Sequence, residues 1–386
     1  MTKRPRKQQL AGPQPRPVLA QLPQYRAGKA APAQPGLTQY KLSSNENPLG
    51  PVPAVKKILE NFDQIHRYPD PNSSSLRQGL SQHLGLPAED IVTGAGSLGA
   101  LTQILAAFAG TNPDGSKDQV IYPWRSFEAY PICVGLAGAQ SIQIPNKADG
   151  SHNLAGMAAA VTSKTKMILL CSPNNPTGPA LTTQEVRSFL ASIPSNILVI
   201  LDEAYYEFCL ASPLEAAEEA PVDGLKLYRD YPNLILLRTF SKAQGLAGLR
   251  VGYSISTPAI TQHLRTTATP FAVTALAQEA ALASIKEHRA VMSRVEELVA
   301  ERQKMQAALA QLGWWTPASK ANFIWLALGQ HTGAFMQEAE NQALALRGFD
   351  QEGVRVSIGE KEANKRLLSI CQKFPHPPTG STEATT

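Results

Sequence analysis

The chain reads as an α/β protein, a mainly parallel sheet covered by helices, with a smaller α+β region after it. Three features predict this. Through its first two thirds, short apolar runs rich in β-formers alternate with stretches of helical period, which is the pattern of a parallel sheet with helical crossovers. From about Ala275 to Gly313 the pattern is long and helical with interleaved charges. Beyond Trp314, strand-like and helical runs resume on a smaller scale. The 386 residues are ample for a large core split between two domains. The expected division is a disordered basic leader over 1–21 and an N-terminal arm over 22–50 that joins the small domain. A large domain over 51–275, a small domain over 276–373 and a disordered tail over 374–386 complete it.

The elements follow in order. LPQYRAGK and KLSSNENPLGP are rich in turn formers and carry little period, so they form an extended arm. In AVKKILENF, Val55, Ile58, Leu59 and Phe62 fall at helical spacing. RYPDPNSSS is a loop holding Tyr68, and Leu76, Leu80 and Leu84 mark a helix stopped near Gly85. EDIVTGAGSLGALTQILAAFAG is a short strand, a Gly-rich turn and an apolar helix. VIYPW is a strand followed by a helix over roughly Phe127 to Leu136, and SIQIP is another short strand. KMILLC runs into the turn-rich loop SPNNPTGPA, after which Thr182 and Glu185 make a capping box. ILVILDEAYYEF is a buried strand that ends in charge; LILLRTF and LRVGYSI are the next two strands. The small domain reads as strand NFIWLAL, a helix, strand VRVSI and a last helix.

Chemistry concentrates in LILLRTFSKAQGLAGLRVGY. Lys242 is a flexible amine directly after a strand end, the place where ligands meet an α/β sheet. Desolvated and beside other cations, such a lysine has a lowered pKa and can form a Schiff base. A Ser-Lys pair alone is more simply a solvated surface lysine; its context argues otherwise. Arg250 offers a planar fork suited to a phosphate. An amine nucleophile with a phosphate anchor points to pyridoxal phosphate. Gly94, Gly96 and Gly99 spell GxGxxG, but the next strand carries no acid at its end, which argues against a dinucleotide. The small residues still let a phosphate approach the free N–H groups of a helix start. Asp202 follows an aliphatic run, where an unpaired carboxylate costs several kcal/mol or takes up a proton. A pyridinium nitrogen would balance it and keep the ring an electron sink; a helix cap or strand-end turn is the plainer role. Tyr205 and Asn175 can reach the ring's phenolic oxygen, or serve as a core aromatic and an ordinary Asn-Pro turn.

With those residues in place, SNENPLGP, RYPD, NNPTG, DEAY and RTFSKAQGLAGLR resemble the histidinol-phosphate aminotransferase group of fold-type-I, pyridoxal-phosphate-dependent aminotransferases. The resemblance covers roughly Leu22 to Leu368. Within the group, YPWRSFEAYPI, ANFIWLALG and GVRVSIGE look most like the actinobacterial aromatic amino acid (phenylalanine) aminotransferases. The resemblance implies a seven-stranded sheet in a cofactor-binding large domain. Lys242 is then the Schiff-base lysine and proton shuttle, Asp202 holds the ring nitrogen, and Asn175 and Tyr205 hold the ring oxygen. Gly96, Ser97, Leu98, Ser241 and Arg250 hold the phosphate, Phe127 stacks on the ring, and Tyr68 reaches in from the partner of a homodimer. Arg355 binds the substrate carboxylate, with Tyr25, Arg347 and Asn47 near the substrate. Two departures stand out. Leu98 and Gly99 replace the acids usual after the phosphate turn in histidinol-phosphate enzymes, and Gln244 replaces the usual aromatic after Ser-Lys-Ala.

The expected activity is ping-pong transfer of an amino group between phenylalanine or tyrosine and 2-oxoglutarate. Histidinol phosphate is the alternative donor, since the fork of Arg355 fits a carboxylate or a phosphate equally. A decarboxylating lyase on the same scaffold is a rival reaction. A cofactor-sensing regulator would need a DNA-binding domain that the short, Pro-rich leader cannot supply. Composition bounds the rest. Lys3, Arg4, Arg6, Lys7, Arg16, Arg26 and Lys29 lie within residues 1–29 without an acid, and removing these seven from a net charge of +5 leaves −2 for the remainder. The basic surplus therefore belongs to the leader and not to a nucleic-acid-binding face. No apolar run reaches the roughly 18 residues that span a bilayer. Cys133, Cys171, Cys209 and Cys371 are far apart, which fits a reducing cytoplasm and gives no metal motif.

Overall fold

The computed structural model describes residues 13–212 and 220–375. The first part of the expected leader, to residue 12, and the tail from residue 376 lie outside the described residues. The strands are β1 (Tyr40–Lys41), β2 (Ile91–Gly94), β3 (Gln119–Trp124), β4 (Gln140–Pro145), β5 (Thr165–Cys171), β6 (Leu198–Asp202), β7 (Leu234–Thr239), β8 (Gly252–Ile255), β9 (Phe323–Ala327), β10 (Leu344–Ala345), β11 (Arg347–Phe349) and β12 (Gly353–Ser357). The helices are α1 (Pro53–Asn61), α2 (Ser74–Leu84), α3 (Gly96–Phe108), α4 (Ala129–Ala137), α5 (Leu154–Ala159), α6 (Thr183–Ser192), α7 (Tyr206–Leu210), α8 (Pro258–Thr267), α9 (Ala275–Lys286), α10 (His288–Gln311), α11 (Thr332–Asn341) and α12 (Lys361–Lys373).

β2 to β8 form a seven-stranded sheet of order 2-8-7-6-5-3-4, in which every pairing is parallel except those made by β8. Strand residues split by parity between two cores. Met167 and Leu169 pack with Ile104 of α3, Val134 of α4 and Leu264 of α8. Ile168 and Leu170 face the other way, into a core with Val186 of α6 and Ala281 of α9. That is the two-sided burial expected of a parallel sheet. Local signals act as read: Thr182 and Glu185 close a capping box on α6, and Gly85 ends α2 in the left-handed region at φ +67°.

The strand expected to begin at Leu249 begins instead at Gly252. Ala247–Leu249 is a 3-10 turn, and Arg250 sits at φ +53°. That left-handed residue breaks the extended path, so the strand starts after it, and Gly252 itself is pressed to the α3 turn: a Cβ there would lie within 2.6 Å of the Gly96 carbonyl carbon. The region after residue 313 is a three-stranded antiparallel sheet of order β11-β12-β9, with helices α11 and α12. It contains two short strands not read from the sequence. One is β11; the other is β10, which pairs in parallel with β1 of the N-terminal arm, Tyr40 opposite Leu344. Upstream, Pro17–Ala20 makes a 3-10 turn against α4, where the Arg16 guanidinium donates to the Leu136 carbonyl.

Candidate active site

The parallel strands β3, β5, β6 and β7 deliver their C-terminal ends to one cavity of about 330 Å³. In open α/β sheets this edge is where ligands bind. Ser126 and Phe127 follow β3, Asn175 follows β5, Asp202 ends β6, and Ser241 and Lys242 follow β7; all six line the cavity. The second sheet contributes Arg347, Phe349 and Arg355, and the arm contributes Tyr25, Arg26 and Ser43 to Glu46.

Lys242 points inward, and its Nζ donates to the Ser44 carbonyl at 3.1 Å. Burial, reinforced by the nearby Arg355 charge, brings its pKa down to about 7. Asp202 is only 5% exposed. It accepts one hydrogen bond from the Tyr130 hydroxyl at 2.8 Å and one from the Ala204 amide at 3.2 Å. Both donors are neutral, and burial raises its pKa to about 6 against the opposing pull of Tyr130. A cation at this carboxylate would remove that penalty.

Opposite the carboxylate, Tyr205 is buried, and its hydroxyl accepts from Asn45 Nδ2 at 2.9 Å. Asn175 accepts from Arg355 at 2.5 Å, and a second Arg355 nitrogen donates to the Ser43 carbonyl at 2.6 Å. The buried Arg355 Nε has no protein partner among the described residues, and burial lowers this guanidinium's pKa.

At the far end lies a cradle for an anion. Gly96 opens α3 at φ +72°, and Ala95, at the capping position, makes no side-chain bond to the first turn. The N–H groups of that turn are therefore free for a ligand. Ser97 and Leu98 line the cavity beside them. Arg250 lies 3.4 Å from the Ser241 hydroxyl, and a Cβ on Gly96 would run into its guanidinium. These residues fit a phosphorylated pyridine aldehyde: an anion cradle at one end, an unpaired buried carboxylate for a ring cation, and an amine between.

Phe127 lines the cavity and meets Tyr130 edge-on at 5.6 Å. Arg347 is held by Glu128, whose Oε2 accepts from Nε at 3.0 Å and from a terminal nitrogen at 2.6 Å. Tyr25 lies at the mouth, 54% exposed. Three expected residues do not line this cavity: Gly96, which instead packs against the Arg250 guanidinium, Tyr68 and Asn47. Tyr68 is 84% exposed and stacks on Phe271 at 4.8 Å. Asn47 donates to the Ala243 carbonyl at 3.0 Å, so it braces the backbone next to Lys242. The structure also explains Gln244, whose amide donates to the half-buried Glu207 at 2.9 Å.

Sequence reasoning missed Tyr130, Asn45, Ser44, Ser126 and Glu128. The only signal for Tyr130 was a phenol in an otherwise apolar helix, which needs a polar partner when buried. A larger cleft of about 1590 Å³ shares Tyr25, Glu128, Arg347 and Phe349 with the cavity and opens outward. Among the described residues no group of three or more His, Cys, Asp or Glu is placed to hold a metal ion.

Comparison with known proteins adds an independent line. The model of the family "Aminotransferase class I and II" matches residues 38–370. A protein of Streptomyces avermitilis named aromatic amino acid aminotransferase is 45% identical over 363 residues, covering 94% of this chain and 98% of that protein. One of the same name from Thermobifida fusca is 43% identical, with 93% and 97% covered. Among solved structures, the histidinol-phosphate aminotransferase of Sinorhizobium meliloti in complex with pyridoxal-5'-phosphate superposes with a TM-score of 0.77 at 26% identity, covering 86% of this chain and 89% of that one.

Proposed function

This chain belongs to the class I and II aminotransferases, and from that premise we propose that it is an aromatic amino acid aminotransferase carrying pyridoxal 5'-phosphate on Lys242. One observation carries the reading: a lysine whose pKa is about 7 shares a cavity with a buried carboxylate at about 6 and an open helix N-terminus backed by Arg250. The names of the relatives at 43–45% identity support the aromatic substrate.

When bound, the cofactor supplies an aldehyde for the amino group and a ring that accepts the electrons left by a departing α-proton. The chain supplies the rest. The α3 N-terminus, Ser241 and Arg250 bind the phosphate. Asp202, oriented by Tyr130, would supply the negative charge that pairs with a protonated ring nitrogen. Asn175 and Tyr205, both on the cavity wall, would hold the ring oxygen. Arg355 receives the substrate carboxylate in its fork. With a pKa near 7, a sizeable share of Lys242 Nζ is the free base at neutral pH, where an ordinary lysine is almost wholly protonated. As the free amine it would act as general base toward the proton on the substrate α-carbon, holding that proton on Nζ.

A cytoplasmic homodimer belongs to the same proposal. All four cysteines are free, and no helix among the described residues is long and apolar enough to cross a membrane. Tyr68, exposed on this chain, is then the residue lent to the partner's phosphate site. The test is turnover of phenylalanine, tyrosine and histidinol phosphate side by side with 2-oxoglutarate as acceptor. Phenylalanine or tyrosine should lead; a lead for histidinol phosphate, the substrate in the name of the Sinorhizobium meliloti neighbour, would replace the aromatic reading.

A further inference from the structure

Arg347 and Arg355 are direct partners in the β11–β12 register, so two guanidinium groups stand side by side on the substrate wall. Each lies over the face of Phe349, at 5.7 and 6.0 Å. Their electrostatic situations differ. Arg355 is hydrogen-bonded only to neutral groups, the Asn175 side chain and the Ser43 carbonyl, so no carboxylate is bonded to it, although the Glu128 charge reaches it at longer range. Arg347 is already matched by Glu128, with two hydrogen bonds to one carboxylate oxygen and its side chain only 12% exposed. Arg125, on the wall of the outer cleft, is matched in the same way by Glu352.

The backbone of Glu128 is fixed by its place at the start of α4, while its carboxylate makes no capping bond and is bonded to Arg347. At that position the helix N-terminus favours a negative charge, and Glu128 follows Phe127 on the ring-facing segment. The substrate wall therefore offers one uncancelled cation and one cancelled cation. That balance suits a ligand with a single carboxylate and a neutral side chain. A second anionic group would have to displace Glu128 from Arg347 and leave a carboxylate without its cation in a partly closed cavity.

We propose that Glu128 is a specificity-determining residue: by neutralising Arg347 it sets the preference of this site for substrates with uncharged side chains over those bearing a second anion. The inference deepens the proposed function and rests on it for the identity of the substrates. Anionic co-substrates are admitted through exchange of Arg347 from Glu128 to the incoming group, at a cost in affinity that the neutral side chain does not meet.

The test compares inhibition constants of glutarate and 3-phenylpropionate against the cofactor-loaded protein, as wild type, Glu128→Gln, Glu128→Asp and the Glu128→Gln, Arg347→Gln double variant. Binding of each compound is also read directly by titration calorimetry. In Glu128→Gln the affinity ratio of glutarate to 3-phenylpropionate should rise about tenfold, the size of one modest charge interaction. Glu128→Asp keeps the charge and should stay near the wild-type ratio. The double variant should lose the gain, because the freed guanidinium is gone. An unchanged ratio in Glu128→Gln, an equal rise in Glu128→Asp, or a rise that survives removal of Arg347 each overturns the inference. These outcomes are separate from the fate of the proposed function: a wild type that transaminates no aromatic amino acid sinks that function, while the inhibitor ratios still decide the role of Glu128.

Discussion

A single amine carries the heaviest expectation. Replacing Lys242 with Ala should leave a folded protein and abolish turnover and borohydride trapping of the cofactor; trapping at another lysine would move the site. Asp202 gives a second, opposite kind of prediction. Its pKa rises from 3.8 to about 6 on folding, so between those values the native state holds more protons than the unfolded state. Its contribution is then neutral below about pH 4 and a growing penalty up to pH 6, full above it, on the order of 2–3 kcal/mol without cofactor. Asp202→Asn should therefore raise the stability of the cofactor-free protein at pH 8 and leave it unchanged near pH 4, as read by urea unfolding at the two pH values. A variant less stable at pH 8 would mean that the carboxylate is already compensated. The chain tolerates this penalty because a ring cation removes it. In the sequence Asp202 and Lys242 were legible because each breaks a local rule, charge at the end of an aliphatic strand. Tyr130 was not, because a phenol on an apolar helix breaks none until the strand end it meets is known.

Elements show the same division. The parallel strands and long helices announced themselves by period and by caps such as the Thr182–Glu185 box. β1, β10 and β11 are two or three residues long, too short for any period to appear, and β1 and β10 find each other across 300 residues of chain. The late start of β8 was hidden for another reason: Arg250 takes a left-handed backbone that non-glycine residues seldom adopt and that no local pattern announces. The loop after Lys242 yields its own prediction. Gln244 reaches α7 through Glu207, a half-buried acid whose pKa is raised chiefly by desolvation and held back by this bond. Gln244→Leu should cost about 1–3 kcal/mol by leaving that acid unpartnered, and Glu207→Gln in the same background should recover part of the loss. Thermal unfolding of the two variants checks both, and no loss in Gln244→Leu would leave the bond without energetic weight.

At the scale of the molecule, Ile65, Tyr68 and Phe271 are large apolar side chains left exposed, Ile65 at 85%. α1 agrees: of its apolar stripe only Val55 is buried within the chain, and Leu59 remains 42% exposed. If Tyr68 serves a neighbouring subunit, a mixture of Lys242→Ala and Tyr68→Ala chains, unfolded and refolded together, should regain activity that neither has alone, since each mixed dimer then holds one intact site. Absence of any recovery, with mixed dimers confirmed by sedimentation and mass, would return Tyr68 to a purely surface role. The bond from Lys242 to the Ser44 carbonyl has one more consequence. That oxygen belongs to the strand-joined arm, yet its hydrogen-bond donor is the reactive nitrogen itself. A carbon-13 label at the Ser44 carbonyl would thus act as an internal voltmeter, its infrared stretch shifting whenever the nitrogen changes charge or partner, with nothing added to the pocket to report it.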